Sequence, residues 1–167
     1  VQSAGNATEI ENVFVRMRQL CSGFMSYHDE DKKPVYVDLP ENPKLEMLTE
    51  ILGEIPEDEK CIIFHEFIHS GDIVSQELEK LKIKHERLYS GTKDPAQAMQ
   101  RFKNQKSKRI LLAQSQSGST GLNLSEAAIC IFYETPVSPI TRQQAEKRIH
   151  RTGQTRRCYY YDLLVKD

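Results

Sequence analysis

From about residue 60 onward the chain alternates between short, dense apolar runs and longer stretches whose apolar residues recur three or four positions apart. CIIFHEF, RILLAQ, ICIFYE and CYYYDLLV are rich in β-formers with few polar interruptions, which fits strands buried on both faces of a parallel sheet. HERLYSG predicts a further strand that ends at a glycine turn. Between them, HSGDIVSQELEKLKI has helical spacing through Ile73, Leu78 and Leu81, with Ser70 or Asp72 as candidate caps. DPAQAMQRFKNQ predicts a helix capped by Asp94 with Pro95 at its first position, and SPITRQQAEKRIHRTG repeats that logic with Ser138, Pro139 and a closing Gly153. Strands alternating with helices over this length predict an α/β fold with a doubly wound parallel sheet flanked by helices.

The first third has a different texture. TEIENVFVRMRQLC places Ile10, Val13, Phe14, Met17 and Leu20 at helical spacing, with Thr8 or Asn6 as caps. SYHDEDKKP predicts a loop and VYVDL a short apolar run. ENPKLEMLTEILGEIP then gathers Leu45, Leu48, Ile51 and Leu52 on one helical face before Gly53 and Pro56. The expected organisation is a helical segment and connector over 1–56, packing on a lobe over 57–167.

Composition narrows this only slightly. A chain of 167 residues, 38% apolar and 28% charged, suits one globular domain. No run approaches the roughly 18 apolar residues of a membrane helix. The start, VQSAGNATEIENVF, lacks the basic and apolar segments of a signal peptide and an initiating Met, as a cut fragment would. A net charge of -1 gives no global attraction for nucleic acid, so any such affinity must come from a local basic patch. Cys21, Cys61, Cys130 and Cys158 form no C-x-x-C pair and are expected to be buried, reduced thiols of an intracellular protein. His65, Glu66 and His69 satisfy the letters of H-E-x-x-H, but His65 falls in a predicted strand and no third ligand is evident, so zinc is not expected.

Two segments offer chemistry. SQSGSTGLNL emerges directly after the strand RILLAQ, at the carboxyl end of the sheet where α/β folds bind ligands. Gly118 and Gly121 would let backbone approach a phosphate, with Ser115, Ser117, Ser119 and Thr120 as donors. An ordinary turn uses the same residues. On the helix predicted from Ser138 to Arg151, Gln144, Arg148 and Arg151 lie at i, i+4 and i+7, on one face. Two guanidiniums side by side suit an anion held bidentately, although a solvated basic face has the same pattern.

Together these segments resemble the C-terminal RecA-like lobe of the Swi/Snf family of helicase-like ATPases, within helicase superfamily two. QAEKRIHRTGQTR resembles the family's sixth motif, Q-A-x-x-R-x-H-R-x-G-Q, at every fixed position. SQSGSTGLNLSEAAICIFYETPVSP resembles the fifth motif with its succeeding apolar strand and proline-containing turn. CIIFHEF resembles the strand of the fourth motif, and RLYSGT a strand and G-S/T turn of the same family. RQLCSGF and PKLEML resemble the helices that precede this lobe, so the likeness covers nearly the whole chain. No G-x-x-x-x-G-K-[ST] phosphate loop and no D-E-x-H strand end is present; in this family both belong to the first lobe.

The resemblance implies one wall of an ATP site. Arg148 and Arg151 would be arginine fingers on the γ-phosphate of an ATP whose Mg2+ is held mainly by the N-terminal RecA-like lobe. Gln144, Gly118, Gly121 and Asn123 would face the nucleotide. Gly91, Thr92, Ser115 and Gln116 would contact the backbone of duplex DNA, although Gln116 stands where the family often carries Arg. The H-R-x-G-Q ending, with Gln154, favours duplex translocation over an RNA helicase, whose motif usually ends H-R-x-G-R. The alternative is a helicase-like module that grips nucleic acid or protein without ATP. The compact strand–helix junctions suggest a cytoplasmic bacterial or phage protein, with a nuclear one as alternative.

Overall fold

The computed structural model describes residues 3–116 and 123–166, with side chains from residue 12 onward. Gly118 and Gly121, assigned above to the nucleotide, therefore lie outside the described residues, as do Ser117, Ser119 and Thr120.

Five strands make the main sheet: β3 (Cys61–His65), β4 (His85–Leu88), β5 (Ile110–Gln114), β6 (Ile129–Phe132) and β7 (Tyr159–Asp162). They run parallel in the order β4-β5-β3-β6-β7. Alternate residues of β3 explain the two-sided burial. Cys61 and Ile63 meet Leu48 and Leu52 of α2 (Pro43–Glu54) with Val74 and Leu78 of α3 (Ile68–Lys80). Ile62 and Phe64 meet Met99 and Phe102 of α4 (Pro95–Asn104) with Ala145 and Ile149 of α5 (Pro139–Ile149). A period of two in a strand covered on both faces leaves no polar position, hence the unbroken apolar runs. This is the predicted RecA-like, doubly wound architecture.

Helix starts follow the chemistry expected of them in three cases. Asn42, Asp94 and Ser138 each accept a hydrogen bond from the backbone N–H three residues on, and each is followed by proline. The predicted cap of α3 is corrected: the helix begins after Phe67 without a side-chain cap, because Ser70 and Asp72 already lie inside it and serve other partners. Ser70 Oγ donates to Glu134 Oε1 at 2.6 Å, and Asp72 accepts from the Tyr89 hydroxyl at 2.9 Å. Lys60 reaches across to the last carbonyls of α4, those of Phe102 and Lys103, and places a cation at the negative end of the helix.

Three further expectations are also corrected. The first helix, α1 (Ser3–Cys21), starts earlier than expected, so Asn6 and Thr8 lie within it. Val13 and Met17 of its apolar stripe remain 57% and 59% exposed. SYH is not loop but the end of β1 (Phe24–His28), which pairs antiparallel with β2 (Pro34–Asp38). Asp29 closes that hairpin by accepting from Lys33 N–H at 2.7 Å, and Lys32 takes a positive φ of 60°. Ser26 and His28, running straight into the charged turn, had disguised the end of the first strand. Finally, only Cys61 and Cys130 are buried thiols; Cys158 is half-buried and Cys21 exposed.

The hairpin and α1 are tied to the lobe at one node. Asn42 Nδ2 donates to Ser22 O at 3.1 Å while its Oδ1 accepts from the Tyr133 hydroxyl at 3.1 Å. Gly23, at φ +86°, lies so close to Asn42 that a Cβ there would meet its amide nitrogen at 2.2 Å. Lys44, buried by the same node, donates to Tyr133 O at 3.0 Å, and desolvation pushes its pKa down.

Candidate nucleotide and nucleic-acid site

The sheet's carboxyl edge gathers the ends of β3, β5 and β6, where the strand order reverses and ligands of α/β folds sit. Glu134, following β6 and almost fully buried, fixes the first part of this edge. Its carboxylate accepts from Glu66 N–H at 2.8 Å as well as from Ser70, and so holds the β3–α3 turn. Gln114 Nε2 donates to Glu66 O at 3.0 Å and ties the end of β5 to the same turn. His65, buried at the end of β3, must donate from Nδ1 to Phe67 O at 2.8 Å, which leaves its buried Nε2 without a hydrogen-bond partner. Desolvation pushes its pKa below the ordinary 6.5, so the ring is neutral. Gly71 is required beside it, since a Cβ there would meet the imidazole at 2.5 Å. His69 instead turns away, stacks on Tyr36 and meets Asp38 at 2.7 Å. The two histidines thus serve different elements.

Ser115, expected at a DNA phosphate, is only 1% exposed. Its hydroxyl lies beside Glu66, near enough to favour the charged carboxylate but out of hydrogen-bonding geometry. Desolvation dominates and raises the pKa of Glu66. Gln116, next in the chain, is exposed. Gly91 takes φ +90°, a conformation that suits glycine, and Thr92 closes the same turn: its hydroxyl donates to Arg87 O at 3.2 Å and accepts from Tyr89 N–H at 3.2 Å. Both line an open groove of about 830 Å³ along the edge strand β4, with Lys82, Lys84, Arg87 and Lys93 on its walls. With Arg101 and Lys108 they outnumber the carboxylates of Glu79, Glu86 and Asp94 on the same walls, a local basic excess along this lip that composition hid.

The arginine end of α5 differs from the reading of one shared helical face. The helix stops at Ile149, and His150 caps it at φ −85° and ψ 79°, so Arg151 lies in the following turn rather than at i+7 on the helix. Gln144 is exposed, Arg148 buried and Arg151 exposed. The turn is closed by Gln154 N–H donating to Arg151 O at 2.9 Å, with Gly153 at φ +103°. Arg148 keeps 9% exposure, and burial alone pushes its guanidinium below its ordinary pKa. Among the described residues no carboxylate neutralises it. Its backbone carbonyl accepts from Leu124 N–H at 3.0 Å and joins α5 to the segment leaving the glycine-rich loop. Asn123 caps that segment by accepting from Ser125 N–H at 3.1 Å. Arg148, Arg151, Leu124 and Asn123 are therefore brought to one corner of the sheet, whereas Gly91 and Thr92 lie at the β4 edge.

A family model described as the helicase conserved C-terminal domain matches residues 43–153, from the start of α2 to the glycine of the arginine turn. The chain belongs to this family. ATP-dependent helicase fft1 of Schizosaccharomyces pombe is 30% identical over 131 residues, 76% of this chain and 14% of that protein. Chromatin-remodeling ATPase INO80 of Eremothecium gossypii is 29% identical over 141 residues, 78% of this chain and 10% of that one. The crystal structure of the C-terminal part of the Fun30 ATPase domain superposes with a TM-score of 0.72 at 30% identity, covering 76% of this chain and 42% of that one. The helicase C-terminal lobe is thus of the Swi/Snf type, as the motifs implied. The chain spans only a small part of the length of such curated relatives, 14% of fft1 and 10% of INO80. No helix among the described residues is long and apolar enough to cross a membrane.

Proposed function

We propose that this lobe completes the ATP site of a cytoplasmic, DNA-dependent translocase and needs an N-terminal RecA-like lobe to hydrolyse ATP. The observation that carries the reading is Arg148: a buried guanidinium with no carboxylate beside it among the described residues is costly until an anion arrives. A phosphate at this corner would supply that anion and accept the fork of Arg148 bidentately. Exposed Arg151, in the adjoining turn, would reach the γ-phosphate from across the cleft and stabilise charge as it develops. Gln144 and Asn123 would orient the nucleotide. Mg2+ would belong to the other lobe, where it neutralises phosphate charge when bound. Gly91, Thr92 and Gln116 would border the track of the DNA backbone, with the basic lip of β4 giving grip without reading sequence.

The test joins this chain to the N-terminal lobe and measures duplex-stimulated ATP hydrolysis. Arg151→Ala is expected to lower kcat by about 10³ or more. Retention of the full rate would rule the finger out.

A further inference from the structure

Gln154 follows the two arginines, and both polar atoms of its side chain are engaged. Its Nε2 donates to Ser125 O and to Ala127 O, both at 2.9 Å, and its Oε1 accepts from Arg156 N–H at 3.1 Å. Its backbone N–H closes the turn on Arg151 O. The segment it grips, 125–127, carries the chain from Asn123 into β6, and Ala127 N–H itself bonds to Leu124 O at 3.1 Å. Only a carboxamide offers two donors and an acceptor in one plane at this reach. A glutamate would set oxygen against two carbonyls, while an arginine could donate to both but could not accept from Arg156.

We infer that Gln154 is a positioning residue: it clamps the turn bearing Arg151 to the segment leaving the glycine-rich loop, so that both move as one piece. This rests on the proposed role of Arg151. Without the clamp, the turn is held to this segment by the flexible side chain of Arg156, through Glu126 O, and a less firmly held turn samples the reacting position less often.

The experiment uses the two-lobe protein, with Arg151→Ala measured alongside. Gln154→Ala is expected to lower kcat about tenfold or more, with KM for ATP changed less than about twofold. Gln154→Glu is expected to be as impaired near pH 8. It should recover relative to the unsubstituted protein as pH falls toward 5.5, because protonation returns one donor to the carbonyl pair. In the 167-residue chain, Gln154→Ala should speed amide exchange at Leu124, Gln154 and Arg156 while Ile62 and Ile63 stay protected. An unchanged kcat for Gln154→Ala, with Arg151→Ala inactive, overturns the positioning role alone. Full activity of Arg151→Ala overturns the functional reading beneath it. Loss of protection at Ile62 and Ile63 as well would show a merely structural role and also overturn the inference.

Discussion

Arg142 and Arg148 lie on the same helix and are both largely buried, yet their surroundings are opposite. Arg142 bonds through Nε to Glu146 at 2.6 Å, reaches Asp162 with both terminal nitrogens, and lies 3.6 Å from the Phe132 ring centroid. These partners raise its pKa despite desolvation and hold that of Asp162 down. Arg148 has desolvation and no compensating carboxylate. Arg101, paired through two bonds with the buried Glu86, follows the pattern of Arg142. Arg142 and Arg101, which build the fold, come with their anions. Arg148 has no such partner among the described residues, which suits the anion proposed to reach it from outside.

The largest effect expected of this contrast is chemical. Replacing Arg148 by Lys keeps the charge but removes the planar fork, and should cost the two-lobe protein at least about tenfold in kcat/KM for ATP. The same replacement at Arg142 should leave that rate within about twofold. Steady-state ATPase assays of both variants check this, and equal losses would erase the distinction.

Stability should move in opposite directions. Arg142→Met strands Asp162 and Glu146 and is expected to destabilise the isolated lobe by about 1–2 kcal/mol, discounted for their partial exposure. Arg148→Met removes an uncompensated buried charge and should leave stability unchanged or raise it by up to about 1 kcal/mol. Urea midpoints decide between these outcomes, and destabilisation by Arg148→Met would mean that the fold itself uses that charge.

The sequence made the fold legible because its signals agree: the two-sided burial of β3, the proline-led helix starts and the glycine at 153 all appear as local patterns. What it concealed was tertiary. Ser70 and Asp72 have the chemistry of caps but are drawn to Glu134 and Tyr89. The end of β1 reads as loop because Ser26, Tyr27 and His28 run straight into the charged turn. Arg151 has helical spacing from Arg148, yet the cap at His150 removes it from the helix. Motif spacing singled out Arg148 and Asn123, whose segments the fold joins through the bond from Leu124 N–H to Arg148 O. It could not foresee that Ser115 is buried or that Thr92 spends its hydroxyl on its own turn. The basic lip of Lys82, Lys84, Arg87 and Lys93 needed the fold to assemble it.

The smallest effect concerns pH. His65 and His85 both have pKa values lowered mainly by desolvation. Below their ordinary value of 6.5 the unfolded chain takes up these protons before the folded one does. Their contribution is therefore present above pH 6.5 and fades as pH falls toward the lower folded values. Urea titrations at pH 7 and pH 5.5 should show weaker stability at the lower pH, and His65→Gln should flatten that slope. An unaltered slope would assign the dependence elsewhere.

The most direct measurement of the central claim is phosphate release from ATP by this chain alone, with and without duplex DNA, and again with the N-terminal lobe joined to it. The half-site account predicts background release from the chain alone and DNA-stimulated release only when both lobes are present. DNA-stimulated release by the isolated chain would contradict it, because that result requires a complete ATP site within these 167 residues.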